Sequence, residues 1–259
     1  MNFKTGESTQ MLSKNTVKFI KSLHQKKYRF ESGKFFVEGE KSVQEVLSSN
    51  FETELLLATE LFLEKNQKLL ESFRGELISV SPKQLESLGQ YQSNDSCLAV
   101  VKMKANQPFS PEKDELIIAL DDVRDPGNLG TILRIADWYG IKNLVFSPQT
   151  AELYNPKVIQ SSMGSFTRVN FFYGDLEQIF QKWNLPVYGA FLDGENVHQI
   201  KRVQPGVILM GNESKGISEK LEKWISKKVT IPAFGNAESL NVAIATAIIC
   251  DNFKRILGS

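Results

Sequence analysis

Three segments of this 259-residue chain carry side chains whose types and spacing could do chemistry. Asp125-Pro-Gly-Asn-Leu-Gly-Thr-Ile-Leu-Arg134 holds Asn128 and Arg134. Ile208-Leu-Met-Gly-Asn-Glu-Ser-Lys-Gly-Ile-Ser218 places Glu213 between Gly211 and Gly216. Ile231-Pro-Ala-Phe-Gly-Asn-Ala-Glu-Ser-Leu-Asn-Val242 ends on Ser239 and Asn241. A guanidinium, a carboxylate, a hydroxyl and two amides can orient a bound small molecule and stabilise charge on it. The glycines let main-chain N–H and C=O groups approach it closely. Metal chemistry has no such support. Cys97 and Cys250 are the only cysteines, and His24 and His198 lie far apart, so no Cys/His zinc cluster forms and no metal is expected. Cys250 sits in an apolar run and reads as a small buried hydrophobe.

Each segment also has a plainer reading. Asn128 stands where a helix N-cap would, ahead of a helix from Gly130 to Tyr139. Gly130 and Arg134 share a face of that helix, away from the stripe of Ile132, Ile135, Ala136 and Tyr139. Glu213 could serve only to stabilise the start of a helix near 218–225 through its dipole. Ser239 or Asn241 could simply cap the last helix. A fourth segment, Ser161-Ser-Met-Gly-Ser165, is a small-residue loop that says little alone. The first segment is not Gly-x-Gly-x-x-Gly, which counts against a nicotinamide dinucleotide fold.

The elements that must position these residues alternate regularly. Strands are expected at 116–120, 144–146, 169–172, 187–190, 207–210 and 229–231. Helices are expected at 130–139, 156–162, 175–183, 218–225 and 241–257. Alternation of this kind implies a parallel sheet covered on both faces, with ligands outside the strands' carboxyl ends. All three polar segments fall at such ends. The last helix is apolar almost all round, so it belongs in the core or in a subunit interface. Ahead of this region, Pro108 and Pro111 mark 105–113 as a linker. Residues 1–104 form a smaller α/β domain, with helices at 14–24, 40–48, 59–73 and 82–88 and strands at 35–37, 55–58 and 97–102. The second domain spans 114–259.

Net charge is +1, so the chain as a whole is no polybasic nucleic-acid binder. Its first 34 residues nevertheless hold eight basic side chains against Glu7 and Glu31, a local excess of six. That arm suits RNA, although a solvated helix face is the plain alternative. The N-terminus is polar and lacks a signal-peptide core. No apolar run nears the about 18 residues that a membrane span needs. A cytoplasmic protein with no membrane partner is expected.

Taken in order, GNLGTILR, SSMGS, ILMGNESKGIS and IPAFGNAESLNVA resemble the SpoU/TrmH family of SPOUT-class RNA methyltransferases over about residues 116–257. Arg29 to Val46, with Phe36-Val-Glu-Gly39, resembles the RNA substrate-binding domain that many members carry. The departures are mild: Ala233 stands where methionine is common, and Asp251 lies near a usual glutamate. The resemblance implies methyl transfer from S-adenosylmethionine to a ribose 2′-hydroxyl of RNA. It also implies a trefoil-knotted C-terminal domain and a homodimer formed through it. By motif position Arg134, Asn128, Glu213, Ser239 and Asn241 form the catalytic set. Ala190, Leu209, Gly211, Ile231, Ala233 and Leu240 supply backbone or apolar contacts to the cofactor. RNA contacts are expected at Lys14, Lys18, Lys26, Lys27 and Arg29, and at Ser162 and Gly164. Ribosomal RNA is favoured over transfer RNA, because a separate basic domain offers a second RNA contact. Two other readings are a non-catalytic RNA-binding or ribosome-assembly factor on this fold and a base-methylating SPOUT enzyme.

Overall fold

The structure, a computed structural model, describes residues 12–90 and 93–258; Lys4 and Glu7 of the basic arm lie outside them. The chain divides into two compact units, one of residues 1–104 with 154–167, the other of 105–153 with 168–259.

The first unit runs α1 (Lys14–Ser22), α2 (Lys26–Ser32), β1 (Lys34–Glu38), α3 (Glu40–Leu47), β2 (Thr53–Ala58), α4 (Glu60–Lys65), α5 (Gln67–Leu70), β3 (Glu76–Ser79), α6 (Pro82–Glu86) and β4 (Cys97–Lys102). Its sheet has the order β1-β4-β2-β3, with β2 and β3 parallel and the other pairs antiparallel. One face buries Phe36, Leu57, Leu98 and Val100 against Ile20 and Leu23 at the C-terminal end of α1 and Leu85 of α6. The expected helix over 59–73 is instead two short ones. Asn66 breaks it: its Nδ2 donates to Phe62 O at 2.8 Å, and its Oδ1 accepts from Gln44 Nε2 at 2.8 Å. A polar side chain that bonds its own backbone competes with the helix ladder. Helix α2 and strand β3 were not expected. Helix α2 is only seven residues long and stops at Gly33, whose φ of 66° is the left-handed conformation glycine supplies at a C-terminus.

The second unit runs β5 (Leu116–Leu120), α7 (Pro126–Trp138), β6 (Asn143–Phe146), β7 (Asn170–Tyr173), α8 (Leu176–Trp183), β8 (Val187–Asn196), β9 (Gly206–Met210), α9 (Glu219–Glu222), β10 (Lys227–Thr230) and α10 (Val242–Leu257). Every pairing in its sheet is parallel, in the order β10-β8-β9-β5-β6-β7. Strands β5 and β9 lie side by side at the centre and are buried at every position, as LIIAL and GVILM require. The edges are β7 and β10, and Lys227 and Lys228 on β10 keep that edge polar. Residues 105–113, expected as a linker, pack on this unit. Asn106 donates to Tyr173 O at 2.9 Å and accepts from Tyr173 N at 2.8 Å, covering part of the β7 edge. Phe109 packs on Trp183, ring centroids 5.5 Å apart.

The helix of residues Pro156–Ser162 belongs with the first unit, where Phe166 and Tyr154 pack around Phe35. Both cysteines are buried, and loss of hydration pushes each thiol up to about 12. Among the described residues, no helix is long and apolar enough to cross a membrane.

Candidate active site

The chain runs from β5 outward through β6 to β7, then returns to lay β8, β9 and β10 on the other side of β5. The direction of winding therefore reverses between β5 and β9, and in a parallel sheet the crevice beyond such a reversal is where ligands bind. The loops leaving these two strands are tied together there. Asp121 N donates to Met210 O at 2.9 Å, and Ser218 N donates to Asp121 Oδ2 at 2.8 Å. Asn212 Nδ2 donates to Asp122 O at 2.7 Å. Asp122 has a φ of 59°, a left-handed conformation uncommon outside glycine. It is held from three sides, because its N–H donates to Ser147 Oγ at 2.8 Å and its carboxylate takes Arg124 Nε and Nη2 at 2.6 and 2.9 Å. Strain that the surroundings enforce so fully is a feature of functional loops.

Helix α7 begins four residues earlier than expected. Its N-cap is Asp125, whose Oδ1 accepts from Asn128 N at 2.9 Å, with Pro126 at the first helical position. The Asp-Pro pair was the legible signal. Because Asp125 caps the helix, the Asn128 side chain is free for another task. Its Nδ2 donates to Glu213 Oε1 at 3.0 Å, and its Oδ1 accepts from Asn241 Nδ2 at 2.9 Å. Asn241 in turn caps α10, its Oδ1 accepting from Ala243 N at 2.9 Å and Ile244 N at 3.3 Å. Glu213 also faces the N–H groups of Arg124 and Asp125 at 3.5 and 3.4 Å. It thus supports the start of α7 and not, as its position suggested, the helix at 219–222. A single amide, Asn128, links a carboxylate on one loop to an amide on another. Three loops distant in sequence are fixed to one another by three polar side chains.

Arg134 does not join this network. It is exposed on the face of α7 that carries Thr131 and Trp138, and makes no hydrogen bond or ion pair among the described residues. Gly130, expected to share that face, is buried. Ser239 is exposed and likewise without a hydrogen bond among the described residues. Of the expected cofactor contacts, Leu209 is wholly buried among core side chains of the sheet, which leaves it only main-chain atoms to offer. Gly211 is where the β9 loop turns back on itself, Asn212 and Gly216 exchanging main-chain hydrogen bonds at 2.9 Å. Strand β8 bulges beside β10: register jumps from Lys228 opposite Gly189 to Val229 opposite Glu195, so Ala190 begins the bulged stretch, on which Leu192 is exposed. Ile231 is half-buried, and Ala233 and Leu240 are exposed. Phe234 between them is 96% exposed. Among the described residues the main chain of 232–240 makes no hydrogen bond, so its polar groups remain open to water or to a ligand.

The expected RNA contacts divide. Lys14, Lys18, Lys26 and Lys27 are exposed. Arg29 is buried at 2% exposure, and its Nη1 donates to the carbonyls of Leu23 and His24 at 2.9 and 3.0 Å. It satisfies the last carbonyl groups of the α1 turn, and no RNA can reach it in this conformation. Ser162 is fully buried and donates to Ile159 O at 2.7 Å. Gly164 is also buried, with a φ of 89° and Glu45 packed where its Cβ would project. These two shape a turn and are not available surface. Their small size signals tight packing as readily as ligand approach, and composition could not separate the two. Asp121, Asp122, Asn212 and Ser218, which tie the loops, were not singled out from the sequence. The Asp121-Asp122 pair directly after a fully apolar strand was the available clue.

Residues 115–251 match the model of the SpoU rRNA Methylase family, and residues 14–99 match that of the MRM3-like substrate binding domain. Among curated relatives, a 23S rRNA (guanosine(2553)-2′-O)-methyltransferase of Bacillus subtilis is 30% identical, covering 90% of this chain and 93% of its own. A putative RNA methyltransferase of the TrmH family from Porphyromonas gingivalis superposes with a TM-score of 0.82 at 35% identity, covering 95% of this chain and 99% of that one. An AdoMet-bound rRNA methyltransferase from Sinorhizobium meliloti superposes with a TM-score of 0.84 at 29% identity, over 96% and 97% of the two chains. The switch-point site, the full-length likeness and the family match agree: this chain belongs to the SpoU rRNA methylase family.

Proposed function

We propose that ribosomal RNA, 23S rRNA first, is the substrate of this S-adenosylmethionine-dependent RNA 2′-O-methyltransferase. The observation that carries the reading is the Glu213–Asn128–Asn241 chain at the switch point, which fixes three loops around one position. The B. subtilis relative, matched over nearly its whole length, is named for that RNA. The cofactor region fits a molecule with an apolar body and polar edges. Ala190, Ile231, Ala233 and Leu240 offer partly or fully exposed apolar surface, and the unbonded main chain of 232–240 offers donors and acceptors beside it. When bound, S-adenosylmethionine supplies an electrophilic methyl group on a sulfonium.

The protein's own task is to position a 2′-hydroxyl in line and to stabilise charge developing on its oxygen. Arginine stays protonated in proteins, so Arg134 acts as a cation toward the ribose oxygen or the adjacent phosphate, and water takes the proton. Among the described residues, Asn128 and Glu213 make no hydrogen bond or ion pair with Arg134. Their role is to hold the loops, with Asn241 fastening the start of α10 to them. Ser239 is exposed and makes no hydrogen bond among the described residues. Lys14, Lys18, Lys26 and Lys27 give the first unit a cationic surface for RNA phosphates. Incubation with methyl-labelled S-adenosylmethionine and unmodified ribosomal or transfer RNA, followed by mass spectrometry of nucleosides, tests the reading. Label on a ribose of 23S rRNA is expected. Label confined to transfer RNA or to a base would overturn the substrate or the mechanism respectively.

The working form in this proposal is a homodimer built on the second unit. Trp138 of α7 is 82% exposed and Ile244 of α10 is 53% exposed, on two helices that pack against each other. Ile135, Ala247 and Ile248 on the same two helices are half-buried. Exposed apolar side chains on adjoining helices are a common mark of an interface. Arg134 lies on the same exposed side as Trp138, near enough in the helix for a second copy to meet both. The paired change Trp138→Glu and Ile244→Glu is expected to yield a folded monomer by analytical ultracentrifugation. An unshifted dimer would place the interface elsewhere.

A further inference from the structure

Helices α1 and α2 border an open groove of about 560 Å³ lined chiefly by Asn15, Lys18, Phe19, Lys21, Gln25 and Tyr28. We infer that this groove binds an unpaired stretch of the substrate RNA, one base stacking on Tyr28 while the lysines take the flanking phosphates. The inference rests on the RNA-methyltransferase reading above and adds to it which RNA feature the first unit reads.

Three observations support it. No lining residue is acidic, Lys18 and Lys21 line the groove, and Lys14, Lys26 and Lys27 are exposed on the same two helices. Glu31 is the nearest acid on α2, and it is engaged by Lys27 at 3.8 Å. These two helices are aromatic as well as basic on their exposed side. Tyr28 is 39% and Phe30 56% exposed, and each ring carries a lysine ammonium near its face, Lys27 at 5.7 Å and Lys26 at 5.6 Å. Lysine beside an accessible ring is the pairing that single-strand binders use, because a base offers a π-face and its phosphate offers the anion. Asn15 and Gln25, finally, make no side-chain hydrogen bond among the described residues, so both amides are free for a base edge. The volume falls in the range of about 300–1,000 Å³ in which small ligands are held. A duplex would use this surface poorly. Paired bases keep their faces in the stack, and an A-form helix is read by shape and by its 2′-hydroxyls across a wide groove.

The test uses the full-length protein with two probes of equal length: a single-stranded RNA carrying one 2-aminopurine, and the same strand in a duplex. Stacking is expected to quench 2-aminopurine fluorescence, and the single strand is expected to bind at least about 10-fold more tightly than the duplex. Tyr28→Ala should weaken single-strand binding by about 10-fold and abolish the quench, with Tyr28→Phe within about 2-fold of wild type. Lys18→Glu should weaken binding and lower its salt dependence without removing the quench of what remains bound. On ribosomal RNA, Tyr28→Ala should raise KM and leave kcat near wild type. Equal or tighter duplex binding overturns the inference, as does an unchanged quench in Tyr28→Ala, while a wild-type protein that still methylates RNA leaves the enzyme reading intact. Absence of methyl transfer to every RNA by the wild type would sink that reading and this inference with it.

Discussion

Replacing Arg134 by alanine is expected to lower turnover by roughly 100- to 1,000-fold, the usual cost of removing one preorganised donor from a developing oxyanion. S-adenosylmethionine affinity should stay within a few-fold of wild type. The separation follows from the geometry. Arg134 is outside the Glu213–Asn128–Asn241 chain and lies on the exposed face of α7, so its loss leaves the loops fastened. It also contributes nothing to the core, and no ion pair among the described residues is broken by its removal. If that loss is observed, an exposed arginine that holds nothing together must act on something the chain binds. Cofactor titration by calorimetry and single-turnover methylation measure the two quantities independently. Near-normal turnover would take the arginine out of the mechanism. Arg134→Lys separates charge from shape, since a lysine keeps the cation but lacks the planar fork that grips a phosphate or ribose oxygen at two points.

The parts of this protein legible from its residues are those where one physical signal dominates. The apolar runs LIIAL and GVILM could only be strands buried on both faces, and alternation with helices fixed a parallel sheet. That in turn placed the three polar loops at the carboxyl ends. The misses arise where two signals share a residue. Asn128 reads as a cap and as a reactive amide; the Asp125 carboxylate, one turn earlier, takes the capping task and decides between them. Asn241 does both, capping α10 through Oδ1 while its Nδ2 reaches Asn128. Arg29 reads as one more cation in a basic arm, yet it folds inward, because the α1 turn leaves carbonyls that a guanidinium five residues on can satisfy. Charge counting finds the arm and cannot say which of its members faces solvent. The bulge in β8 and the left-handed Asp122 are invisible for a different reason. Each is imposed by partners far away in sequence, Lys228 and Val229 for the bulge, Ser147 and Asn212 for the aspartate.

Gly211→Ala should be the most damaging single methyl group that can be added to this site. A Cβ at Gly211 has no room: it would collide with the main chain of Gly216 and Ile217, where the loop after β9 doubles back. Backbone cannot rotate aside as a side chain can, so the turn must open. Opening it breaks the Asn212–Gly216 pairing and moves Glu213, and with Glu213 the support of Asn128. Overpacking of this kind costs about 1–3 kcal/mol. The thermal midpoint should therefore fall measurably, and S-adenosylmethionine binding should weaken far more than in Arg134→Ala. Loss of binding without loss of the fold, read by circular dichroism, would place the damage in the loop; a variant with wild-type affinity would mean the turn is not part of the cofactor site. The two variants together also decide which copy of the chain each residue serves. If Arg134 completes the site of a second copy, dissociating and re-pairing Arg134→Ala with Gly211→Ala forms mixed dimers in which one site has both an intact loop and an intact arginine. Such a mixture should regain up to about a quarter of wild-type activity, because random pairing makes half the dimers mixed and each has one sound site of two. If Arg134 serves its own chain, every site in every dimer carries one lesion, the missing arginine or the opened loop, and no activity returns.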